Sequence, residues 1–133
     1  MAGFQLEIVT PTKVIDCGSV DYLRASGLDG LFGVEPHHAR AMIALEAGET
    51  KVQSGSKTTF YATGPGFADI QGGSVQLLVE TAEGASDIDA ARAKSAAQRA
   101  KERLTGSHAD VDVARAQQAL KRAAARLHVA GRK

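Results

Sequence analysis

The sequence predicts a β + α fold: an N-terminal β-sandwich of short antiparallel strands, then a C-terminal antiparallel two-helix hairpin. Three observations carry this reading. Twelve of the 14 glycines and all three prolines lie in residues 1–86, whereas 14 of the last 47 residues are alanine. Charge reverses at the same place, with five basic against ten acidic residues in 1–86 (net −5) and eleven against five in 87–133 (net +6). Apolar residues in the first part alternate with polar ones, the period of a half-buried strand. A joint shift in breakers, helix formers and charge marks a boundary between structural units, placed here as 1–85 and 86–133.

Phe4, Leu6 and Ile8 alternate with Gln5 and Glu7, giving the first strand. Residues 14–16 and 19–25 follow as strands separated by Gly18, and Gly27, Gly30 and Gly33 punctuate a loop ending in Glu35-Pro36-His37-His38. Gly48 divides 42–47 from 49–53, and Gly55 opens a turn before 57–63. After Gly64-Pro65-Gly66, residues 67–71 and 75–81 flank Gly72-Gly73, which predicts a hairpin with a primed two-residue turn. Strands with a turn signal every eight to ten residues argue for a sandwich or barrel.

The hairpin begins at Ser86-Asp87-Ile88-Asp89, which resembles a capping box with Ser86 as N-cap and a carboxylate at N3. The first helix runs to Leu104 and stops at Thr105-Gly106. A second starts at Asp110 or Asp112 and carries Val113, Ala116, Leu120, Ala124 and Leu127 on one stripe before Gly131. The short connector favours antiparallel helices. Because their seam is mostly alanine, intrinsic helicity is strong and docking weak, which predicts an element able to leave its partner without unfolding.

Composition narrows the function. The chain has 133 residues, 44% hydrophobic, enough for a core. No apolar run approaches the ~20 residues of a membrane span, and no secretion signal is expected ahead of Phe4. Cys17 is the single cysteine, so no internal disulfide is expected and the cytosol is the default compartment. No catalytic constellation assembles: no serine elbow, no Cys–His pairing, no phosphate loop around Gly27, Gly30 and Gly33. His37 and His38 read as adjacent strand residues pointing to opposite faces, which argues against a shared metal; His108 and His128 read as solvated. The basic helices invite a nucleic-acid reading, but the connector is too long for a helix-turn-helix and no aromatic accompanies the charges. Nucleic acid is therefore not expected as a partner.

Six motifs in order carry a resemblance across nearly the whole chain. They are Val9-Thr10-Pro11; Gly27-Leu28-Asp29-Gly30-Leu31-Phe32-Gly33-Val34-Glu35-Pro36-His37-His38-Ala39; Leu45-Glu46-Ala47-Gly48; Gly66-Phe67; Ile88-Asp89-Ala90-Ala91-Arg92-Ala93; and Ser107-His108-Ala109-Asp110-Val111-Asp112. Together they resemble the epsilon subunit family of the bacterial F-type ATP synthase. Arg40 stands where that family usually has proline, Pro65 replaces the first glycine of its Gly-Gly-Phe, and Leu31 takes an often acidic position.

The resemblance implies a non-catalytic rotor subunit. It would bind the gamma subunit and the c-ring, couple ring rotation to ATP synthesis, and sit peripherally on the cytoplasmic face of the bacterial plasma membrane. Asp29, Leu31, Phe32 and His38 would form the ring contact, in a loop expected to expose Leu31, Phe32 and His38. The hairpin would either lie on the sandwich or extend to restrain ATP hydrolysis, its Arg115, Lys121, Arg122 and Arg126 then facing the alpha and beta catalytic subunits. No cofactor is required, but ATP enters as a regulatory ligand, with Ile88, Asp89, Arg92, Ala93, Arg99, Arg122 and Arg126 as its residues. For Asp89 and Arg92 two readings stand: a helix cap with a neighbouring surface charge, or nucleotide contacts.

Overall fold

The computed structural model describes residues 3–106 and 112–132. Its first strand, β1 (Phe4–Val9), buries Phe4, Leu6 and Ile8 and leaves Gln5 exposed, as its alternation requires. There follow β2 (Val14–Val20), β3 (Tyr22–Gly27), β4 (Gly30–Val34), β5 (Ala41–Leu45), β6 (Gly48–Ser54), β7 (Lys57–Thr63), β8 (Gly66–Gln71), β9 (Ser74–Val79) and β10 (Ala82–Gly84). A 3-10 turn over Ala85–Asp87 leads to α1 (Ala90–Thr105) and α2 (Val113–Ala130).

Hydrogen bonding links the strands in the order β10-β7-β6-β3-β5-β8-β9-β1-β2, with β4 on the other edge of β3. Along that path β3 and β5 share one register pair, Gly27↔Leu45, and there the ladder folds into two layers. One layer holds β4, β3, β6, β7 and β10; the other holds β5, β8, β9, β1 and β2. Every pairing is antiparallel except β1 with β9, which is parallel from Gln5↔Ser74 to Val9↔Leu78. A single core between the layers gathers Leu6, Ile8, Leu23, Val34, Leu45, Val52, Ile70, Val75 and Leu77. Two buried hydroxyls satisfy each other there, Thr50 Oγ1 lying 2.8 Å from Thr63 Oγ1. This is the sandwich followed by two helices that the sequence predicts.

Local geometry corrects several expectations. Neither Gly72 nor Gly73 adopts a positive φ, so the β8–β9 hairpin is not primed. The primed pattern instead belongs to the β6–β7 hairpin, where Gly55 has φ +60° at the first central position. Gly18 lies inside β2, at φ +67°, beside a register shift between Leu6 and Glu7. Gly30 and Gly33 belong to a strand, β4, rather than to a loop. His37 and His38 sit in a turn, not on a strand. His38 N–H donates to Glu35 O at 3.2 Å, Pro36 takes the first central position and His37 the second at φ +67°. That is the φ pattern of a type II turn, with histidine where glycine is favoured. Gly66 is required by close approach, because a Cβ there would collide with the carbonyl of Leu78 on β9.

The first helix does not start from Ser86. Asp89 is its N-cap, Oδ1 accepting from Arg92 N–H at 3.1 Å, while Ser86 lies in the preceding 3-10 turn. Ile88 explains the delay: it is extended and buried, and a helix running through it would turn that side chain away from its pocket. Asp112 caps α2 in the same way, accepting from Arg115 N–H at 3.1 Å. Asp110, His108 and the rest of the connector, 107–111, lie outside the described residues. The stripe expected on α2 is also shifted. Val113 and Ala124 are exposed, and the buried residues are Ala116, Ala123, Ala125 and Val129.

Candidate functional site

The site is built where the hairpin meets the sandwich. α1 packs on α2, burying Ala93, Ala97 and Ala100, and α2 lies across β6, β7 and β10. The apolar part of the contact is small: Ile88, Ala125 and Val129 close over Ala62, with Phe60, Ala85 and Ala130 at its margin. Two alanines and two larger aliphatic side chains supply far less apolar burial than the sandwich interior.

Charge surrounds that patch. Lys121 Nζ reaches Glu46 Oε2 at 3.0 Å, and Arg126 Nε reaches Glu83 Oε1 at 2.6 Å. Arg132 donates to both oxygens of Glu49, Nε to Oε2 at 3.0 Å and Nη2 to Oε1 at 3.1 Å, and its guanidinium lies 4.4 Å from the Phe60 ring centroid. His128 Nε2 is 3.4 Å from the same carboxylate, which also meets Arg24 of β3 at 3.5 Å. The acidic sandwich and the basic hairpin thus meet through specific pairs. Sequence patterning shows the opposite net charges but not the pairing, and it missed Glu46, Glu49 and Glu83 as the sandwich's contribution.

The predicted residues divide between this interface and solvent. Ile88 and Ala93 are buried packing residues, and Asp89 serves as a cap. Arg92, Arg99 and Arg115 are exposed, while Lys121 and Arg126 are engaged with glutamates. Arg122 lines a cleft of about 890 Å³ together with Gln118, Glu46 and the outer face of β5, β8 and β9. On that face Phe67 and Leu78 are cross-strand partners, both exposed, with Leu28 beside them. In the loop predicted to face the ring, Leu31 is 69% exposed and Asp29 is exposed. Phe32 departs from expectation: it is half-buried and packs against the sandwich core. His38 is also half-buried, its Nδ1 lying 2.6 Å from Ala39 O.

Two further titratable groups meet under the hairpin's root. Burial, above all, pushes the Tyr61 hydroxyl up to about 12, helped by Cys17 and the charge of Asp87. Burial likewise raises the Cys17 thiol, opposed by a hydrogen bond from Tyr61. Both groups are held in their protonated, inert forms at neutral pH.

Residues 3–85 match the family described as ATP synthase, Delta/Epsilon chain, beta-sandwich domain, and residues 86–131 match its long alpha-helix domain. The chain belongs to the ATP synthase delta/epsilon chain family. It is therefore a non-catalytic subunit of that synthase. It is 42% identical over 131 residues to an ATP synthase epsilon chain of Brevibacillus brevis, covering 98% of this chain and 99% of the relative. It is also 42% identical over 100 residues to that of Desulforamulus reducens, covering 75% and 76%. Among solved structures, a chain of the Euglena gracilis mitochondrial ATP synthase OSCP/F1/c-ring assembly matches its fold at TM-score 0.84 and 22% identity, covering 98% of this chain and 82% of that one. A chain of the Tetrahymena thermophila central stalk/c-ring matches at 0.59 and 12%, covering 98% and 95%. Among the described residues no helix is long and apolar enough to cross a membrane.

Proposed function

We propose that the chain is a rotor subunit of a proton-translocating synthase, coupling c-ring rotation to ATP synthesis through gamma, and that its hairpin restrains ATP hydrolysis. Family membership supports the first part. The exposed apolar face around Leu28, Phe67 and Leu78 supports gamma docking on the sandwich, and exposed Leu31 with Asp29 supports a ring contact at a different kind of surface, the end of the β3–β4 hairpin. As part of such an assembly the chain would sit on the cytoplasmic face of the bacterial plasma membrane.

One observation carries the regulatory part. Lys121 and Arg126, two of the cations expected to face the alpha and beta subunits when the helices extend, are the ones that pair with Glu46 and Glu83 when the helices are docked. Docking and inhibition therefore compete for the same charges. Each pair is partly exposed and worth only ~0–1 kcal/mol, so the two positions stay close in free energy. ATP acts in the same proposal as a ligand of the docked form, with Asp89 and Arg92 at the start of α1, Arg99 in the body of that helix, and Arg122 and Arg126 on α2 as its contacts.

Removing residues 87–133 is expected to raise ATP hydrolysis by the assembled complex while assembly and synthesis persist. Should the truncated complex hydrolyse ATP no faster than the full one, with both equally coupled, the inhibitory role is wrong. For the ligand, thermal melts with millimolar ATP should shift upward in the full chain and not in Arg92→Ala.

A further inference from the structure

The last residues of α2 do something that the inhibitory reading does not require. Helix α2 ends in a turn: Gly131 N–H donates to Leu127 O at 3.3 Å, and Arg132 N–H to Val129 O at 2.9 Å. This turn aims the Arg132 side chain back at the sandwich. There its guanidinium makes the two-pronged contact with Glu49 while lying over Phe60, a geometry open to arginine and closed to lysine. Glu49 is unlike the other two acidic partners. Its side chain is 11% exposed, against 31% for Glu46 and 29% for Glu83, so its pairs are the least screened by solvent. It also meets Arg24 of the neighbouring strand at 3.5 Å, a partner that belongs to the sandwich itself.

We propose that Glu49, Phe60 and Arg132 form a terminal catch that holds α2 on the sandwich and sets the fraction of molecules in which the hairpin is docked. The catch rests on the two-position hairpin proposed above. It adds that control lies at the chain's far end rather than along the alanine seam. Val129, whose carbonyl accepts from Arg132 N–H, is itself fully buried against the sandwich, so the apolar and the ionic contact sit side by side at this end of α2.

The test uses the full chain with Cys17→Ser, labelled at Lys57→Cys on the sandwich and Gln98→Cys on the exposed face of α1, and reads the inter-label distance distribution. Glu49→Gln and Arg132→Ala are each expected to lower the docked-to-released ratio several-fold. Their combination should fall well short of the sum of the two, because the Glu49–Arg132 contact is lost in each. Arg132→Lys should recover less than half of the loss. Arg132 lies at the molecule's surface, so its variants fold even where Glu49→Gln does not. Equal docked fractions in wild type and Arg132→Ala, or additive effects of the two substitutions, overturn the catch. A changed docked fraction with unchanged ATP hydrolysis in the assembled complex would instead strike the inhibitory reading and leave the catch standing.

Discussion

The two contacts that hold this molecule together are built differently. Between the sheet layers, leucine, isoleucine, valine and phenylalanine side chains from eight strands interlock with almost no exposure. Between sandwich and hairpin, a few alanines, Ile88 and Val129 are ringed by ion pairs. Apolar packing of the first kind is not screened by salt and is lost only on unfolding. Contacts of the second kind are individually weak, screened by salt, and replaceable by an equivalent acidic surface elsewhere. The proposed function calls for one part that stays folded and one that changes partners, and the two chemistries would supply them separately.

The sharpest way to break this comparison is to delete volume on each side of it. Leu6→Ala should destabilise the sandwich by about 2–5 kcal/mol and lower the main unfolding transition. Val129→Ala removes less, about 1.5–3 kcal/mol, and should loosen the hairpin while leaving the sandwich transition in place. Hydrogen exchange reads both: Leu6→Ala should speed exchange in β1 and β9, and Val129→Ala in α2 alone. Equal loss of protection everywhere in both variants would mean that the molecule is one cooperative unit and the contrast is false.

Smaller effects sharpen it. His37 holds a left-handed conformation in a turn remote from the hairpin, so His37→Gly should stabilise the sandwich by about 0.5–1 kcal/mol, read by thermal melting, with no change in hairpin docking. The alkaline limit should come from Tyr61 and Cys17, on the sandwich side of the boundary. A group whose pKa is raised in the folded state contributes stability that is complete below its unfolded value and lost as pH passes the folded one. Stability should therefore hold to about pH 9, then fall as the pH climbs from roughly 10, the ordinary tyrosine value, to the about 12 of Tyr61. Tyrosinate absorbance against pH, in wild type and Tyr61→Phe, measures it.

Much of the architecture could be read in advance because it follows from period and punctuation. Residues 57–63 and the alternation of Phe4, Leu6 and Ile8 mark their strands without ambiguity. What escaped was decided by tertiary context. Ser86 and Asp89 are both good caps three residues apart, and only the burial of Ile88 selects the second. Strand β10 is three residues long, held by pairing with β7, and has no pattern of its own. Phe32 sits in a glycine-rich stretch that reads as an exposed loop until β4 pairs with β3 and turns the ring inward. The site was legible only as opposite net charges. Glu49 and Arg132 are 83 positions apart, and nothing local in either stretch announces the other.

The parallel pairing of β1 with β9 also governs the order in which the molecule can be made. Glu7 and Gln76, 69 positions apart, lie side by side and hydrogen-bond at 3.0 Å. On a ribosome the first strand therefore waits, paired at most with β2, until β9, which begins at Ser74, has been synthesised. The acidic patch of Glu46, Glu49 and Glu83 is complete only a few residues later. The basic helices, which follow in sequence, thus meet a finished landing surface, and the part proposed to let go docks onto a structure already formed.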